Sequence, residues 1–154
     1  MTKHNLAIIP GDGIGIEVIE IAKKVLQATD LDFTSSDFDL GGARYLKDGE
    51  ILSDETLDEL RSFDAILLGA VGHMDVKPGV IERGLLLKMR FDFDQFINLR
   101  PFISDTSPSG QSVDIVCVRE NTEGPYVGEG GFLRKGTSEE IATQGSVNTR
   151  HGVE

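Results

Sequence analysis

Residues 5–15 read NLAIIPGDGIG, a short apolar run followed at once by a turn that contains three glycines. A continuous apolar run of this length is typical of a strand that is buried on both faces of an α/β sheet. Residues 16–29 then repeat apolar side chains at helical spacing, and Glu20 and Lys24 form a favourable i,i+4 pair. The stretch therefore predicts a buried strand, a glycine turn and an amphipathic helix.

Two more strands and a helix continue this pattern. A second strand is predicted within residues 32–40, and Ser53 can cap a helix that runs to Phe63. Residues 64–71 (DAILLGAV) are nearly all apolar, which predicts a third strand buried on both faces. Strands that alternate with helices predict an α/β fold with a mostly parallel sheet flanked by helices and joined by right-handed crossovers.

The second part of the chain shows a different pattern. Residues 82–94 predict an amphipathic helix, residues 95–102 and 113–120 predict strands, and the polar stretch 104–112 predicts a loop or junction. Six glycines lie within residues 124–145, where apolar side chains are sparse. This tail cannot form a core by itself, and we expect an extended hairpin that needs a partner.

Composition restricts the class of protein and of partner. The chain has 154 residues, of which 39% are hydrophobic, so it can bury a sizeable core. A net charge of −11 disfavours nucleic acid and anionic membranes, which the field of the protein would repel. A single cysteine excludes an internal disulfide, and no apolar run approaches the about 18 residues of a membrane span. We expect a soluble, cytoplasmic protein.

The glycine turn has two interpretations. Gly11, Gly13 and Gly15 lie where a strand turns into a helix, and backbone N–H groups at such a place can receive an anion. The third glycine of the G-x-G-x-x-G dinucleotide fingerprint is missing, however. We therefore favour a structural tight turn, with a pyrophosphate site as the alternative.

The predicted helix at residues 82–94 joins apolar and cationic groups. Leu86 and Leu87 lie four and three residues before Arg90, so an α-helix places all three on one face. This spacing predicts a branched apolar surface beside a guanidinium.

Two further arginines lie near the ends of the next strands. Arg100 follows on a predicted strand with Asn98 on the same face, and Arg119 ends the strand after it. The planar fork of arginine suits carboxylates, so Arg90, Arg100 and Arg119 together are able to hold a dicarboxylate. For each arginine taken by itself, a surface ion pair is the favoured interpretation, and spacing alone does not overturn it. Tyr126 follows in a loop, where a tyrosine is usually an amphipathic packing residue. The alternative is a general acid, since cationic neighbours make the phenolic proton more acidic.

Metal ligands are not indicated. His73 is expected to lie in a loop and Cys117 to be a buried strand thiol. Neither they nor the acidic residues show the spacing of a zinc or calcium site, so no metal site is predicted within this chain.

Four blocks of sequence carry a resemblance to a known family. They are LAIIPGDGIG (6–15), DAILLGAVG (64–72), GLLLKMRFDFDQFINLRP (84–101) and VRENTEGPY (118–126). In order and spacing they resemble the β-decarboxylating dehydrogenases, a family that includes isopropylmalate, isocitrate, homoisocitrate and tartrate dehydrogenases. The resemblance implies an isopropylmalate-dehydrogenase-like fold that is incomplete here. Residues 1–102 would be the N-terminal part of its large α/β domain, and residues 103–154 the truncated start of the dimerisation, or arm, domain.

The resemblance assigns roles to the cationic residues and the tyrosine. Arg90, Arg100 and Arg119 match arginines that grip the malate carboxylates. Tyr126 matches the tyrosine that protonates the enolate after carbon dioxide leaves. The resemblance thus implies a substrate-binding set and one catalytic residue.

Other positions match the substrate side-chain pocket and the cofactor site. Leu86 and Leu87 match residues that accept an isopropyl group, whereas isocitrate enzymes place serine and asparagine in that region. Glu82 and Gly72 match cofactor-binding positions, although an extra residue in the leucine run shifts the match of Glu82 by one place. Ile16 stands where the family usually has proline at the start of the first helix, which is expected to loosen the turn without removing chemistry.

The implied activity is oxidative decarboxylation of (2R,3S)-3-isopropylmalate to 4-methyl-2-oxopentanoate with reduction of NAD, a step of leucine biosynthesis. The family uses Mg²⁺ or Mn²⁺ and forms homodimers. Its catalytic lysine, metal-binding aspartates and cofactor loop would lie beyond Glu154, so we expect this chain to be inactive by itself. A tartrate- or isocitrate-type dehydrogenase and a non-catalytic anion-binding module are the alternatives.

Overall fold

The computed structural model describes residues 3–105, 108 and 110–154. The described residues divide into two compact units, one ending at Met89 and the other beginning at Arg90. The strands are β1 (His4–Gly11), β2 (Phe33–Asp37), β3 (Ala65–Ala70), β4 (Ile97–Ser104), β5 (Val113–Glu120), β6 (Gly130–Leu133) and β7 (Ile141–Gln144). The helices are α1 (Ile14–Gln27), α2 (Gly42–Asp48), α3 (Asp54–Leu60), a π-helix (Glu82–Leu87), α4 (Lys88–Asp92), a 3₁₀ turn (Pro125–Val127) and α5 (Arg150–Val153). The predicted domain division after residue 102 concerns the complete fold and stays a prediction.

The first unit contains a parallel sheet, as predicted. Its strand order is β2-β1-β3, and the central strand pairs Leu6 with Ala65 on one side and with Ser35 on the other. Ile8 and Ile9 on β1 are fully buried. The apolar run that opens the chain is therefore the centre of the core, and its carboxyl end leads into the glycine turn.

The glycine turn brings two backbones into contact. Gly11 has a φ of +76°, and a Cβ placed on it would lie 2.0 Å from the carbonyl oxygen of Ala70 at the end of β3. Only glycine fits this position without movement of the backbone. The favoured interpretation, a structural tight turn, agrees with this packing.

Helix α1 forms as predicted, but most of its apolar side chains are not buried. Ile19 packs inward, whereas Val18, Ile21 and Val25 are 52%, 58% and 60% exposed. The periodicity identified the helix correctly, and it overestimated the burial of the apolar face within the described part of the chain.

The remaining elements of the first unit differ from the sequence interpretation in three details. Strand β3 is only half-buried, because it is an edge of the described three-stranded sheet. Helix α2 was not predicted; it begins after Gly41 and ends at Gly49, which adopts φ +78°. The capping of α3 by Ser53 is confirmed, since its side chain accepts a hydrogen bond from the backbone N–H of Thr56, although the helix ends at Leu60.

The helix predicted over residues 82–94 is two segments of different geometry. Glu82–Leu87 is a π-helix and Lys88–Asp92 is an α-helix. A π-helix bonds i to i+5 and so holds one residue more than an α-helical turn allows. This geometry accommodates the extra residue in the leucine run, and the simple α-helical spacing predicted for Leu86 does not apply within it.

The second unit contains two antiparallel strand pairs. Strands β4 and β5 pair along their full length, and β6 pairs with β7 as the expected glycine-rich hairpin. Side chains of Ile97, Leu99 and Val118 share one face of the β4–β5 pair and are 55%, 62% and 66% exposed. The loop predicted at 104–112 includes residues 106, 107 and 109, which lie outside the described residues.

Among the described residues, no helix is both long and apolar enough to cross a membrane.

Candidate functional site

A hydrogen-bonded turn places a tyrosine beside the end of β5. The carboxylate of Glu120 accepts hydrogen bonds from the backbone N–H groups of Thr122 and Glu123, at 2.5 Å and 2.7 Å. Burial alone would raise the pKa of Glu120, but these N–H donors lower the pKa below its usual value. The turn leads into the 3₁₀ segment that carries Tyr126.

Two of the three predicted arginines converge on Tyr126. The Nη2 group of Arg119 donates a hydrogen bond to the phenolic oxygen of Tyr126. The guanidinium carbons of Arg119 and Arg90 lie 5.4 Å and 5.9 Å from the centroid of the tyrosine ring. These distances lie within the range of cation–π attraction. Arg90, Arg119 and Tyr126 are all partly shielded from solvent and together form one cluster within the second unit.

The third predicted arginine shares a sheet face with this cluster. Asn98 pairs across the β4–β5 ladder with Arg119, and Arg100 lies two positions further along the same strand. Side chains at such diagonal positions are about 7–8 Å apart at their bases, a separation that long side chains can span. The Nε group of Arg100 donates a hydrogen bond of 2.9 Å to Oδ1 of Asn98.

The predicted substrate-pocket leucines lie in the π-helix of the first unit. Leu86 and Leu87 are half-buried, whereas Leu85 beside them is fully buried. The π-helix packs closely on its neighbour, since a Cβ added to Gly84 would lie 2.6 Å from the Cδ1 atom of Ile51. The leucine pair is thus held on a fixed backbone and retains exposed surface.

The two predicted cofactor-binding residues line one groove of the first unit. Gly72 follows β3, Glu82 begins the π-helix, and His73, Lys77 and Ile81 complete much of the groove wall. The carboxylate of Glu82 accepts a hydrogen bond of 2.9 Å from the backbone N–H of Gly79. A Cβ on Gly72 would meet open space, so the backbone there is accessible from outside.

Asp12 is a buried residue to which the sequence interpretation gave no role. Its carboxylate accepts hydrogen bonds from the backbone N–H groups of Gly42, Ala43 and Gly72, at 2.7, 2.9 and 3.0 Å. Burial raises the pKa of Asp12, but the three N–H donors and the charge of His73 outweigh it and lower the pKa below its usual value. Asp12 therefore joins the ends of β1 and β3 to the start of α2.

A signal for Asp12 was present in the sequence. Aspartate within a glycine turn often accepts hydrogen bonds from nearby backbone N–H groups. The sequence could not show that its partners lie 30 and 60 residues further along the chain.

In the part of the chain that the structure describes, no group of three or more His, Cys, Asp or Glu side chains is arranged to hold a metal ion. Cys117 was expected to be buried and is exposed instead. The reason is that Cys117 lies on a strand of the β4–β5 pair, whose side chains are largely open to solvent.

The chain resembles a known family over nearly its whole length. The family model described as isocitrate/isopropylmalate dehydrogenase matches residues 5–154. The chain is 55% identical over 155 residues to the 3-isopropylmalate dehydrogenase of Corynebacterium glutamicum, covering 97% of this chain and 46% of that protein. It is 51% identical over 154 residues to the 3-isopropylmalate dehydrogenase of Frankia casuarinae, covering 97% and 45%. The chain thus spans somewhat less than half the length of these relatives.

A solved structure shows the same fold. The isocitrate dehydrogenase of Methylococcus capsulatus superimposes with a TM-score of 0.78 at 33% sequence identity, covering 97% of this chain and 44% of that one. With the family match over residues 5–154, these likenesses establish that the chain belongs to the isocitrate/isopropylmalate dehydrogenase family.

Proposed function

We propose that this chain forms the substrate-binding N-terminal part of an NAD-dependent β-decarboxylating dehydrogenase that acts on 3-isopropylmalate in leucine biosynthesis. The complete enzyme would be a cytoplasmic homodimer. The single observation that carries the proposal is the convergence of Arg90 and Arg119 on Tyr126. Two cations beside one hydroxyl form a site in which a carboxylate can bind next to a proton donor.

The chemistry of this cluster suits a malate substrate. Arginine donates hydrogen bonds and cannot accept them, so the oxygen of Tyr126 accepts from Arg119 and retains its own O–H for donation. A tyrosine held in this way can give its proton to a carbon that becomes electron-rich when carbon dioxide leaves. Arg119 would keep the oxygen hydrogen-bonded after the proton has gone. Arg100, on the same face of the sheet, would complete the grip on the two carboxylates.

The leucine pair supports an aliphatic substrate. Leu86 and Leu87 retain exposed apolar surface, which can accept an isopropyl group. The same surface offers no hydrogen bond to a third carboxylate, whose desolvation would be costly. This difference favours isopropylmalate over isocitrate.

The groove lined by Gly72 and Glu82 fits the cofactor role proposed for these residues. Its open backbone at Gly72 allows close approach, and the Glu82 carboxylate can accept hydrogen bonds from ribose hydroxyls. Gly72 and Glu82 would help to hold NAD, which when bound would supply a hydride acceptor. We also propose Mg²⁺ or Mn²⁺ as a cofactor of the complete enzyme.

A fusion protein tests the proposal. This chain would replace the matching N-terminal part of the Corynebacterium glutamicum relative, and NAD reduction would be measured with Mn²⁺ and isopropylmalate, isocitrate or tartrate. Because the proposed carboxylate- and side-chain-binding residues all come from this chain, the substrate preference of the fusion reports on them. We expect kcat/KM for isopropylmalate to exceed that for isocitrate by at least roughly a hundredfold.

The intact relative serves as the control for activity of the fusion partner. Preference for isocitrate or tartrate would identify the chain as that type of dehydrogenase instead. A folded fusion that binds a dicarboxylate without any turnover would support the non-catalytic anion-binding module.

A further inference from the structure

A chain of hydrogen bonds leads from the buried part of the second unit to Arg100. Asn121 is only 6% exposed, and its Nδ2 group donates to the backbone carbonyl of Gln95 at 3.0 Å. The Nδ2 group of Asn98 donates to Oδ1 of Asn121 at 3.1 Å. The Oδ1 atom of Asn98 in turn accepts from Nε of Arg100 at 2.9 Å. Because the carbonyl of Gln95 can only accept, it fixes the orientation of the Asn121 amide, and Asn121 Oδ1 then fixes the orientation of the Asn98 amide.

The buried end of this chain is anchored to the backbone. The backbone N–H of Asn121 donates to the carbonyl of Phe96 at 2.9 Å, in addition to the side-chain contact with Gln95. Asn121 therefore ties the segment after β5 to the segment before β4. A buried amide with its polar groups paired is costly to move, so it provides a rigid support.

The link to Arg100 constrains how that arginine can meet a carboxylate. A guanidinium has five N–H donors, and a carboxylate can accept a pair of them either from Nε and one terminal nitrogen or from the two terminal nitrogens. In the described part of the chain, Nε of Arg100 is already engaged by Asn98. The pair left for an incoming carboxylate is the two terminal nitrogens.

We propose that Asn98 and Asn121 are positioning residues that hold Arg100 so that its two terminal nitrogens receive a substrate carboxylate end-on. The proposal deepens the proposed function and rests on it for the identity of the carboxylate. The relay itself is a property of this chain's own side chains. An exposed arginine without such support would lose side-chain entropy when it binds a carboxylate. Because Asn98 already restricts Arg100 in the folded chain, part of that entropy is lost before binding and the cost of binding is smaller.

Kinetics of the fusion protein test the role in binding. In Asn98→Ala, we expect KM for isopropylmalate to rise roughly tenfold with kcat little changed, the effect of one lost hydrogen bond to a charged group. Arg100→Lys removes the guanidinium Nε–H that donates to Asn98. In this background, Asn98→Ala should therefore change KM by less than about twofold. Asn148→Ala, which removes an exposed asparagine of the same unit, is the matched control. Equal effects of Asn98→Ala in both backgrounds would overturn the proposal.

Side-chain NMR tests the relay without turnover. In the 154-residue chain labelled with ¹⁵N-arginine, the Nε–H proton of Arg100 should exchange with water roughly tenfold faster in Asn98→Ala than in the unmodified chain. Asn98→Asp retains an acceptor, so it should leave this proton protected while it raises KM in the fusion by repelling the carboxylate.

The two measurements separate the possible failures. A fusion inactive with every substrate would refute the proposed function, and the proton exchange of Arg100 would still decide whether the relay exists. An active fusion in which Asn98→Ala changes neither KM nor the exchange rate would refute the relay alone.

Discussion

The guanidinium of Arg119 donates a hydrogen bond to the phenolic oxygen of Tyr126. The two residues are seven positions apart, one at the end of β5 and the other in a 3₁₀ turn that the Glu120 carboxylate helps to hold. The arrangement occupies an acceptor site on the tyrosine oxygen and leaves its proton for donation. This separation of roles leads to distinct expectations for the two side chains.

Removal of the Tyr126 hydroxyl should impair the proton-transfer step. In the fusion protein, Tyr126→Phe is expected to lower kcat by roughly 10²- to 10⁴-fold, the usual contribution of a general acid, with a small change in KM. Steady-state rates with isopropylmalate measure both constants. Tyr45→Phe, the same change at the chain's other tyrosine in α2, should leave them near their original values. A large rise in KM with unchanged kcat would show that Tyr126 only binds substrate.

Loss of the arginine fork should weaken substrate binding. Arg119→Lys keeps the charge but cannot form two parallel hydrogen bonds, so we expect kcat/KM in the fusion to fall roughly 10- to 100-fold. Arg134→Lys is the control, because Arg134 is exposed and pairs only locally with Glu139. Equal kinetics for the two variants would show that Arg119 makes no more than a surface contact.

The Asp12 carboxylate should stabilise the fold in a pH-dependent manner. Its pKa is lowered in the folded chain, so its contribution is fully present above the usual value of 3.8 and is lost as pH falls from there through the folded pKa. Asp12→Asn is expected to cost about 1–3 kcal/mol near pH 7, because the amide presents N–H groups to backbone donors. Urea unfolding at pH 7 and at lower pH values measures the difference.

The difference in free energy of unfolding between the unmodified chain and Asp12→Asn should decrease as pH falls below 3.8. Asp58→Asn, at an exposed aspartate of the same unit, is the control and should change stability by less than about 0.5 kcal/mol. A gap for Asp12→Asn that is independent of pH would mean that the carboxylate charge is not what stabilises the turn.

Gly11 should be far less tolerant of a side chain than a glycine with nearly the same φ. Gly11 and Gly49 have φ of +76° and +78°, but only at Gly11 would a Cβ strike backbone, 2.0 Å from the oxygen of Ala70. Gly49→Ala is expected to cost about 1–2 kcal/mol through conformation alone, and Gly11→Ala more than about 3 kcal/mol. Urea unfolding measures the loss of free energy of unfolding in each variant. Equal losses in Gly11→Ala and Gly49→Ala would contradict the close contact of β1 with β3.

Local pattern was sufficient for most of the fold. The apolar run at the start, the helical spacing after it and the run DAILLGAV predicted the strand, helix and strand that the structure contains. Pattern failed at α2, a short helix between glycines whose start is held by a carboxylate 30 residues earlier in the chain. It also failed at the π-helix, since 3.6-residue periodicity cannot represent a turn with an extra residue.

For the candidate site, the sequence indicated which side chains are suitable, and the structure showed which of them are in contact. Residue type and order in the sequence identified Arg90, Arg119 and Tyr126 as candidates, because guanidinium groups and a hydroxyl have the hydrogen-bonding capacity that a carboxylate and a proton transfer require. That they meet depends on the turn after β5.

The sequence by itself therefore determined the alternation of strand, helix and strand in the first unit, the burial of β1 and the kinds of side chain available for binding. Only the tertiary structure decided which of those side chains meet, that Asp12 joins three separate segments, and that Asn121 supports Arg100 through Asn98. The physical reason is that secondary structure follows from neighbours in the chain, whereas a hydrogen bond between distant residues follows from strand register and loop course.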